Sequence, residues 1–348
     1  MTRTANTTTR QHYVQRAYLS AWSSNQTTSG KIWCHFKETL KIANPNLMGV
    51  GQERYFYEYK RLTELEKLMV GVLNKSKNKT IMESKPYHIL QLNSCLWGLE
   101  DRIAGCQETD GAILAIRREL GEIVQTAFED GGAEFLAALR NGDATFFLDE
   151  ERRIHFCNYF MMQFIRTKRH RRSFEAGFTD ISEHTSKLLN TAPAIKEVFR
   201  KEGIHLDLRK VETDLKDTHN NLDMGKLYPY TLATTAHELA YAFSISNKMK
   251  LELLSPPDGE YFITGDQPAF NLLHTSENNN PPSDMKVYYP VSPVQAVRLV
   301  KHVDWTTDRV SISSQELAAL NQALFDYCDA QVYAASQAEL KAFTKDKI

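Results

Sequence analysis

Polar side chains recur at helical spacing in a segment rich in aromatic residues. In "HFCNYFMMQFIRTKRHRR", residues 155–172, Tyr159, Gln163, Arg166 and His170 follow one another at spacings of four, three and four. A helix would place these four side chains on one face. An amide and a guanidinium on such a face can bind an anion and stabilise charge on a phosphoryl oxygen. Gln163 and Arg166 are therefore candidate catalytic residues.

Positive charge is concentrated directly after this face. Five of the seven residues from Arg166 to Arg172 are Lys or Arg. If they face a cleft, these cations suit phosphate oxygens, and we predict that Lys168, Arg169 and Arg172 bind substrate. The alternative is that they are solvated charges that favour the macrodipole at a helix C-terminus.

Two more candidates lie outside this segment, one on each side of it. Asp266 follows a short apolar strand in "EYFITGDQPAF", a place where catalytic and metal-binding carboxylates are often presented. The competing interpretation is an Asx-turn that Asp266 caps. His12, in "QHYVQRAYLSAW", can be a general base, a metal ligand or a packed side chain. His12 and Asp266 complete the predicted catalytic set, and we expect the acid to hold the histidine in a cleft.

A divalent cation is the cofactor that these residue types suggest. Glu66, in "LTELEKLM", and Asp266 could supply oxygen ligands to Mg2+ or Mn2+, although a helical glutamate is more often solvated. The chain has no Walker loop, dinucleotide fingerprint or nucleophile elbow, so we expect no ATP or NAD site. "HELAY" lacks the second histidine of a zincin, and the five cysteines form no CxxC pair, so we expect no structural zinc.

Hydrophobic periodicity indicates which elements position these residues. Leu62, Leu65 and Leu68 predict a helix in "RLTELEKLMVGVLNK". Further helical patterns cover 86–105, 110–128, 131–141, 148–170, 173–191, 193–203 and 229–249. Strand patterns cover 31–36, 251–254, 260–264, 286–291 and 296–300. Ser313 and Glu316 have the spacing of a capping box that begins a last helix.

The fold class is therefore α+β, a mostly helical body with a small, mainly antiparallel sheet formed by the N-terminal strand and the C-terminal third. We predict a disordered leader at 1–10 and a single domain at 11–348, with its helical body at about 60–250 and sheet-containing parts at 11–59 and 251–348. The net charge of −1 provides no global field that recruits nucleic acid. No segment has the apolar length of a signal or membrane span, and we expect a cytoplasmic protein without a membrane partner.

Eight phrases, in order along most of the chain, resemble the bacterial domain of unknown function 4238 family. They are "QHYVQRAYL", "GKIWCHF", "ERYFYEY", "ELEKLM", "FMMQFIRTKRHR", "YFITGDQPAF", "YYPVSP" and "LNQALFDYCDAQVYAAS". The chain departs from the family pattern at Gln11, where the family has a first histidine, at Gln15, and at Gly265 and Gln267 beside the acid. The matching polar positions and the proline are His12, Gln163, Arg166, Asp266 and Pro268. The family name fixes no activity.

Two functions fit these candidates, with a third interpretation beside them. The first is a hydrolase or nuclease that acts on phosphodiesters of nucleic acid or nucleotides, as a toxin or anti-phage effector. The second is a non-enzymatic module that senses a ligand: Gln163 and Arg166 bind an anion or a base edge, while His12 and Asp266 brace the N-terminal segment. In the third, the shared phrases only specify the fold. The sequence predicts no oligomeric state.

Overall fold

The computed structural model describes residues 9–74, 85–102, 107–176, 222–274 and 284–343. The helices are α1 (Arg16–Leu19), α2 (Glu64–Leu73), α3 (Lys85–Arg102), α4 (Gln107–Arg140), α5 (Glu150–Ile165), α6 (Met224–Tyr241), α7 (Ser314–Tyr327) and α8 (Gln337–Lys341). A further helical segment covers 168–176. The strands are β1 (Arg10–His12), β2 (Trp33–Phe36), β3 (Lys41–Ala43), β4 (Gln52–Arg54), β5 (Met249–Ser255), β6 (Thr264–Gly265), β7 (Phe270–Asn271), β8 (Lys286–Ser292), β9 (Gln295–Lys301), β10 (Thr306–Ser311) and β11 (Gln331–Ala334).

Helix α5 is the centre of the helical body because its apolar residues face two neighbours. It packs against α4 on one side and α6 on the other. Phe156 and Phe160, one turn apart on α5, are fully buried and stack on each other with ring centroids 5.6 Å apart. Asp149 caps the start of α5 by accepting a hydrogen bond from the backbone nitrogen of Arg152. The helix ends at Ile165, and its last turn presents Gln163 toward the interior.

Helix α4 is longer than the sequence pattern predicts. The predicted helices at 110–128 and 131–141 are one helix, which continues through the pair Gly131 and Gly132. A Cβ atom added to Gly132 would overlap the ring of Tyr159 on α5, whereas nothing lies within 4 Å of such an atom at Gly131. Gly132 therefore permits a close approach of two helices and does not end one.

Three sheets cover the helical body. A five-stranded sheet has the order β10-β5-β9-β8-β7, with antiparallel pairs except for the parallel edge pair of β10 and β5. Helix α4 packs on β8 and β9 of this sheet. A four-stranded antiparallel sheet, β3-β2-β11-β6, joins N-terminal strands to the C-terminal third, and β1 pairs with β4. The predicted α+β class and the sheet shared by the two chain ends are confirmed.

Most predicted strands form close to their expected bounds. The patterns at 251–254, 286–291 and 296–300 correspond to β5, β8 and β9. Of the pattern at 260–264, only Thr264 pairs with another strand: β6 is Thr264 and Gly265, which oppose Tyr333 and Val332 of β11. The predicted helix at 193–203, residues 177–191 of the one at 173–191, and residues 1–8 of the predicted leader lie outside the described residues. Among the helices that are described, none has the length and apolarity to cross a membrane.

Candidate functional site

Asp266 lies at the end of β6, and its carboxylate is fully buried. Its Oδ1 accepts a hydrogen bond of 2.8 Å from the backbone nitrogen of Asp329. Its Oδ2 accepts from the nitrogens of Ala330 and Gln331, at 2.6 and 3.0 Å. Burial raises the pKa of Asp266 to about 6, although these three backbone donors oppose the shift. The arrangement favours the interpretation of Asp266 as a cap, which here binds the turn that leads into β11.

Glu66 forms the capping box of α2. Its backbone nitrogen donates to Oγ1 of Thr63, and its Oε2 accepts from the backbone nitrogen of Thr63 at 2.8 Å. Its Oε1 accepts from Nζ of Lys226 on α6 at 3.2 Å. Burial alone raises the pKa of Glu66, but the bonds from Thr63 and Lys226 outweigh it, so the pKa lies below its ordinary value.

The two predicted metal ligands are therefore both engaged elsewhere. Asp266 binds the 329–331 backbone and Glu66 caps α2, so each carboxylate has a structural role that does not require Mg2+ or Mn2+. Within the described ranges, no group of three or more His, Cys, Asp or Glu side chains has an arrangement that could hold a metal ion.

The predicted substrate-binding cations are each paired with groups of the protein. Lys168 forms an ion pair of 2.7 Å with Glu53 on β4, and Arg172 pairs with Asp329. Arg169 donates to the backbone oxygen of Tyr327 at 2.9 Å and lies over its ring. These contacts fasten the 168–176 helix to β4 and to the turn that Asp266 caps.

A cleft of about 250 Å³ lies beside these ion pairs. It is lined by three cations, three acids and one aromatic ring: Lys168, Arg171, Arg172, Glu53, Glu175, Asp329 and Phe56. Arg171 completes the pairing by donating to Glu175 at 3.1 Å. Because every cation of the cleft has an acidic partner, the cleft has no excess positive charge to attract a long polyanion.

The remaining predicted residues converge on Arg166, at the C-terminal end of α5. The guanidinium is fully buried, and its NH2 group donates to Oε1 of Gln163 at 2.7 Å. Its NH1 group donates to Oε1 of Glu129 at 2.6 Å and to Oε1 of Gln125 at 3.3 Å. Gln125 and Glu129 lie on α4, so this network joins α4 to α5. We call these residues, together with His12, Arg16, Tyr57 and Glu122, the Arg166 cluster.

His12 lies next to this network and is half-buried. Burial and the positive charge of Arg16 lower its pKa to about 4, with a smaller contribution from Arg166, while the backbone at Leu47 and Met48 opposes the shift. The imidazole is therefore neutral at neutral pH. The hydroxyl of Tyr57 donates to the backbone oxygens of His12 and Arg166, at 3.3 and 3.5 Å.

Glu122 supplies the titratable carboxyl of the cluster. It is half-buried on α4, one turn before Gln125. Burial and, to a smaller extent, the carboxylate of Glu129 raise its pKa to about 7 against the opposing positive charges of Arg166 and Arg16. A carboxyl with a pKa near neutrality can accept or donate a proton at physiological pH.

The structure thus separates the sequence candidates into two groups. His12, Gln163 and Arg166 belong to the Arg166 cluster, whereas Asp266 is linked through the turn at 327–331 to Arg169 and Arg172. Among the hydrogen bonds and ion pairs of the described residues, none joins His12 to Asp266.

Sequence reasoning missed the acids on α4. Glu122, Gln125 and Glu129 recur at spacings of three and four, the same signal that identified the polar face of α5.

The fold and the site define an α+β protein with a helical layer, three sheets and a largely buried polar cluster that joins α4 to α5. The model of the family described as Protein of unknown function (DUF4238) matches residues 10–338, and the chain belongs to this family. The resemblance drawn from the eight phrases is thereby confirmed. No curated protein and no solved structure matches the chain.

Proposed function

We propose that the protein is a hydrolase that cleaves a phosphodiester in a nucleotide-sized substrate, and that the Arg166 cluster is its active site. One observation carries the proposal: a carboxyl that titrates near neutral pH, Glu122, lies in the electrostatic field of the fully buried guanidinium of Arg166. The cluster can therefore provide a proton acceptor and a fixed positive charge for one reaction.

The reaction assigns a role to each group. The ionised form of Glu122 accepts a proton from a water molecule whose oxygen attacks phosphorus. As the bond from phosphorus to the leaving oxygen breaks on the opposite side, the leaving oxygen takes a proton from solvent, and protonated Glu122 then releases its proton to solvent. Arg166 stabilises the negative charge that develops on the phosphoryl oxygens. His12, neutral at neutral pH, contributes a hydrogen bond and no charge.

The size of the substrate follows from the surrounding charges. Lys168, Arg171 and Arg172 each form an ion pair with an acid of the protein. A long nucleic acid would have to break these pairs to gain phosphate contacts. We therefore favour a nucleotide or short oligonucleotide over a polymeric nucleic acid.

The test is an incubation of the purified protein with dinucleotides, cyclic mononucleotides, total RNA and DNA, with Mg2+, with Mn2+ and with a chelator. Glu122→Gln keeps the side-chain volume and removes the proton acceptor. Its kcat should fall by about 10²–10⁴-fold. Lys248→Ala, which removes a surface cation that pairs with Asp304, is the control and should retain the wild-type rate on a dinucleotide.

Two results would overturn this proposal. One is that no substrate is cleaved under any metal condition. The other is that Glu122→Gln cleaves as fast as the wild type. If total RNA or DNA is cleaved and the small substrates are not, the substrate is a polymeric nucleic acid and the assignment of a nucleotide-sized substrate is wrong.

A second candidate function is ligand binding without turnover. Gln163 and Arg166 are fully buried and have side-chain nitrogens without protein partners among the described residues. Such atoms suit a bound ligand whether or not it reacts. Saturable binding of a nucleotide without product in the same incubations would favour this candidate over the hydrolase.

The cellular role as a toxin or anti-phage effector remains a prediction. If the hydrolase acts on host nucleotides, expression of the wild-type protein should arrest growth. Expression of Glu122→Gln at the same protein level should leave growth unchanged. Equal arrest by both forms would separate toxicity from the proposed active site.

A further inference from the structure

Two nitrogen donors in the Arg166 cluster have no hydrogen-bond partner in the described part of the chain. They are Nε2 of Gln163 and Nε of Arg166; a third buried nitrogen of the cluster, Nε2 of His12, also has no partner there and donates or accepts according to its tautomer. The side chains of Gln163 and Arg166 are 0% exposed. A donor buried without an acceptor costs free energy, and the cost is larger for a charged group such as a guanidinium.

The orientation of both donors follows from the bond that the two residues share. Oε1 of Gln163 accepts from NH2 of Arg166 at 2.7 Å. Rotating the amide by half a turn would bring its nitrogen against the guanidinium, donor against donor. The amide oxygen must therefore face Arg166. Nε2 belongs to the same amide and Nε to the same guanidinium, so both unpartnered donors flank this single hydrogen bond.

The cluster reaches the protein surface on the side of its acids. The side chains of Arg16, Glu122 and Glu129 are half-buried, whereas Gln163 and Arg166 lie beneath them. When Glu122 is protonated, the cluster contains two arginines, Arg16 and Arg166, and one other acid, Glu129. The cluster then has an excess of one positive charge and two unused donors.

We propose that Gln163 Nε2 and Arg166 Nε bind a phosphoryl oxygen of the substrate, which makes the Arg166 cluster an oxyanion-binding site. Both atoms can only donate, so a ligand that satisfies both must offer an acceptor. The excess positive charge favours an acceptor that is negatively charged. This inference rests on the proposed function, because it names the substrate group that the same site recognises.

The test is calorimetric titration of the full chain with inorganic phosphate and, separately, with adenosine 5′-monophosphate. Gln163→Glu keeps an oxygen acceptor for Arg166 but replaces the Nε2 donor with an oxygen. It should weaken the binding of both ligands roughly tenfold or more, because a donor to a charged group is lost and a negative charge is added. Lys248→Ala, which removes a surface cation that pairs with Asp304, should bind both ligands as the wild type does.

A second variant keeps the test decisive if Gln163→Glu does not fold. Arg166→Lys retains a positive charge that can reach Glu129, but it has no Nε donor in the guanidinium position. It should also lose phosphate affinity. Binding of the nucleotide alone would show that the phosphoryl group is recognised as part of a larger ligand, which supports the proposal if Gln163→Glu or Arg166→Lys weakens it.

Failure of this inference can be told apart from failure of the hydrolase proposal. If phosphate binds and Gln163→Glu weakens this binding while no substrate is turned over, the oxyanion-binding site is supported and the hydrolase proposal is wrong. If neither phosphate nor the nucleotide binds at millimolar concentration, or if a folded Gln163→Glu variant binds as the wild type does, the oxyanion site is overturned. Turnover that depends on Glu122 would then still support the hydrolase.

Discussion

Arg166 and Glu129 form an ion pair of 2.6 Å in which the two partners have unequal access to water. The guanidinium of Arg166 is 0% exposed, and the side chain of Glu129 is 26% exposed. Glu129 therefore compensates a fully buried charge from a position near the surface. The same carboxylate raises the pKa of Glu122, so one acid both holds the arginine and tunes the proposed proton acceptor.

The substitution Glu129→Gln should separate these two effects. The amide oxygen can still accept from Arg166, but the negative charge is lost. We expect the pKa of Glu122 to fall below its value of about 7, and the lower pH midpoint of hydrolysis to fall with it. The free energy of unfolding should fall by about 1–3 kcal/mol, less than for a fully buried pair.

These expectations are checked by a pH–rate profile and by urea unfolding. The matched control is Glu134→Gln on the same helix, because Glu134 pairs with Arg152 at the surface, where the side chains are 61% and 48% exposed. It should change neither quantity. A midpoint that rises or stays constant in Glu129→Gln would contradict the electrostatic link between Glu129 and Glu122.

Glu122 should also make stability depend on pH in a defined direction. Its pKa is about 7 in the folded protein, above its ordinary value of 4.5, so the folded state binds its proton more tightly than the unfolded state does. The contribution of Glu122 to the free energy of unfolding of the wild type therefore decreases as the pH rises from 4.5 to about 7. Glu122→Gln does not titrate.

The free energy of unfolding of Glu122→Gln minus that of the wild type should therefore be larger at about pH 8 than at about pH 4. Urea unfolding of both proteins at the two pH values measures this difference. His12, whose pKa is lowered, affects both proteins alike and cancels in the comparison. A stability difference that is independent of pH would show that Glu122 has an ordinary pKa in the folded protein.

The sequence predicts local features of the site and misses its long-range pairs. Gln163 and Arg166 are separated by three residues, so helical periodicity alone places them on one face. The separation of His12 from Asp266 depends on which strands pair, since β1 pairs with β4 and β6 pairs with β11. No local pattern contains that information.

Burial explains why some residue roles were uncertain from sequence. Glu66 has the sequence environment of a solvated helical glutamate, yet it is buried because Lys226 and Thr63 bind its carboxylate. In the sequence, nothing distinguishes Glu122 and Glu129 from Asp130 and Glu134, the exposed acids of the same helix. Their importance depends on Arg166, which another helix brings within hydrogen-bond distance of Glu129.

Asp266 provides a test of a structural role against a catalytic one. In Asp266→Ala the backbone nitrogens of Asp329, Ala330 and Gln331 lose their acceptor. We expect the free energy of unfolding to fall by about 1–3 kcal/mol. Asp266→Asn keeps one acceptor oxygen and should lose less. Both variants, where folded, should retain the wild-type kcat, because Asp266 lies outside the Arg166 cluster.

The measurements are urea unfolding and the rate on a dinucleotide per mole of folded protein. If Asp266→Asn keeps wild-type stability but loses turnover by a hundredfold or more, Asp266 acts in the reaction and the structural role is wrong. If Asp266→Ala loses both stability and turnover, the result for Asp266→Asn decides between the structural and the catalytic role.

The two adjacent glycines of α4 give a matched pair of substitutions in the helix that carries Glu122 and Glu129. Gly131→Ala adds a methyl group where nothing lies within 4 Å, so it should stabilise the helix by about 0.5–1 kcal/mol. Gly132→Ala adds the same group against the ring of Tyr159, which is buried and hydrogen-bonded to Gln15. Overpacking at this contact should lower the free energy of unfolding by about 1–3 kcal/mol.

Thermal and urea unfolding of the two variants measure whether their changes in the free energy of unfolding have opposite signs. Because Gly132 sets how closely α4 approaches α5, Gly132→Ala should also displace Glu129 from Arg166. Phosphate should then bind more tightly, because the acid that neutralises the guanidinium has moved away, while Gly131→Ala leaves binding unchanged. If both variants are stabilised, the two helices do not meet at Gly132. If Gly132→Ala is destabilised but binds phosphate as the wild type does, the Arg166 cluster does not depend on the distance between these helices.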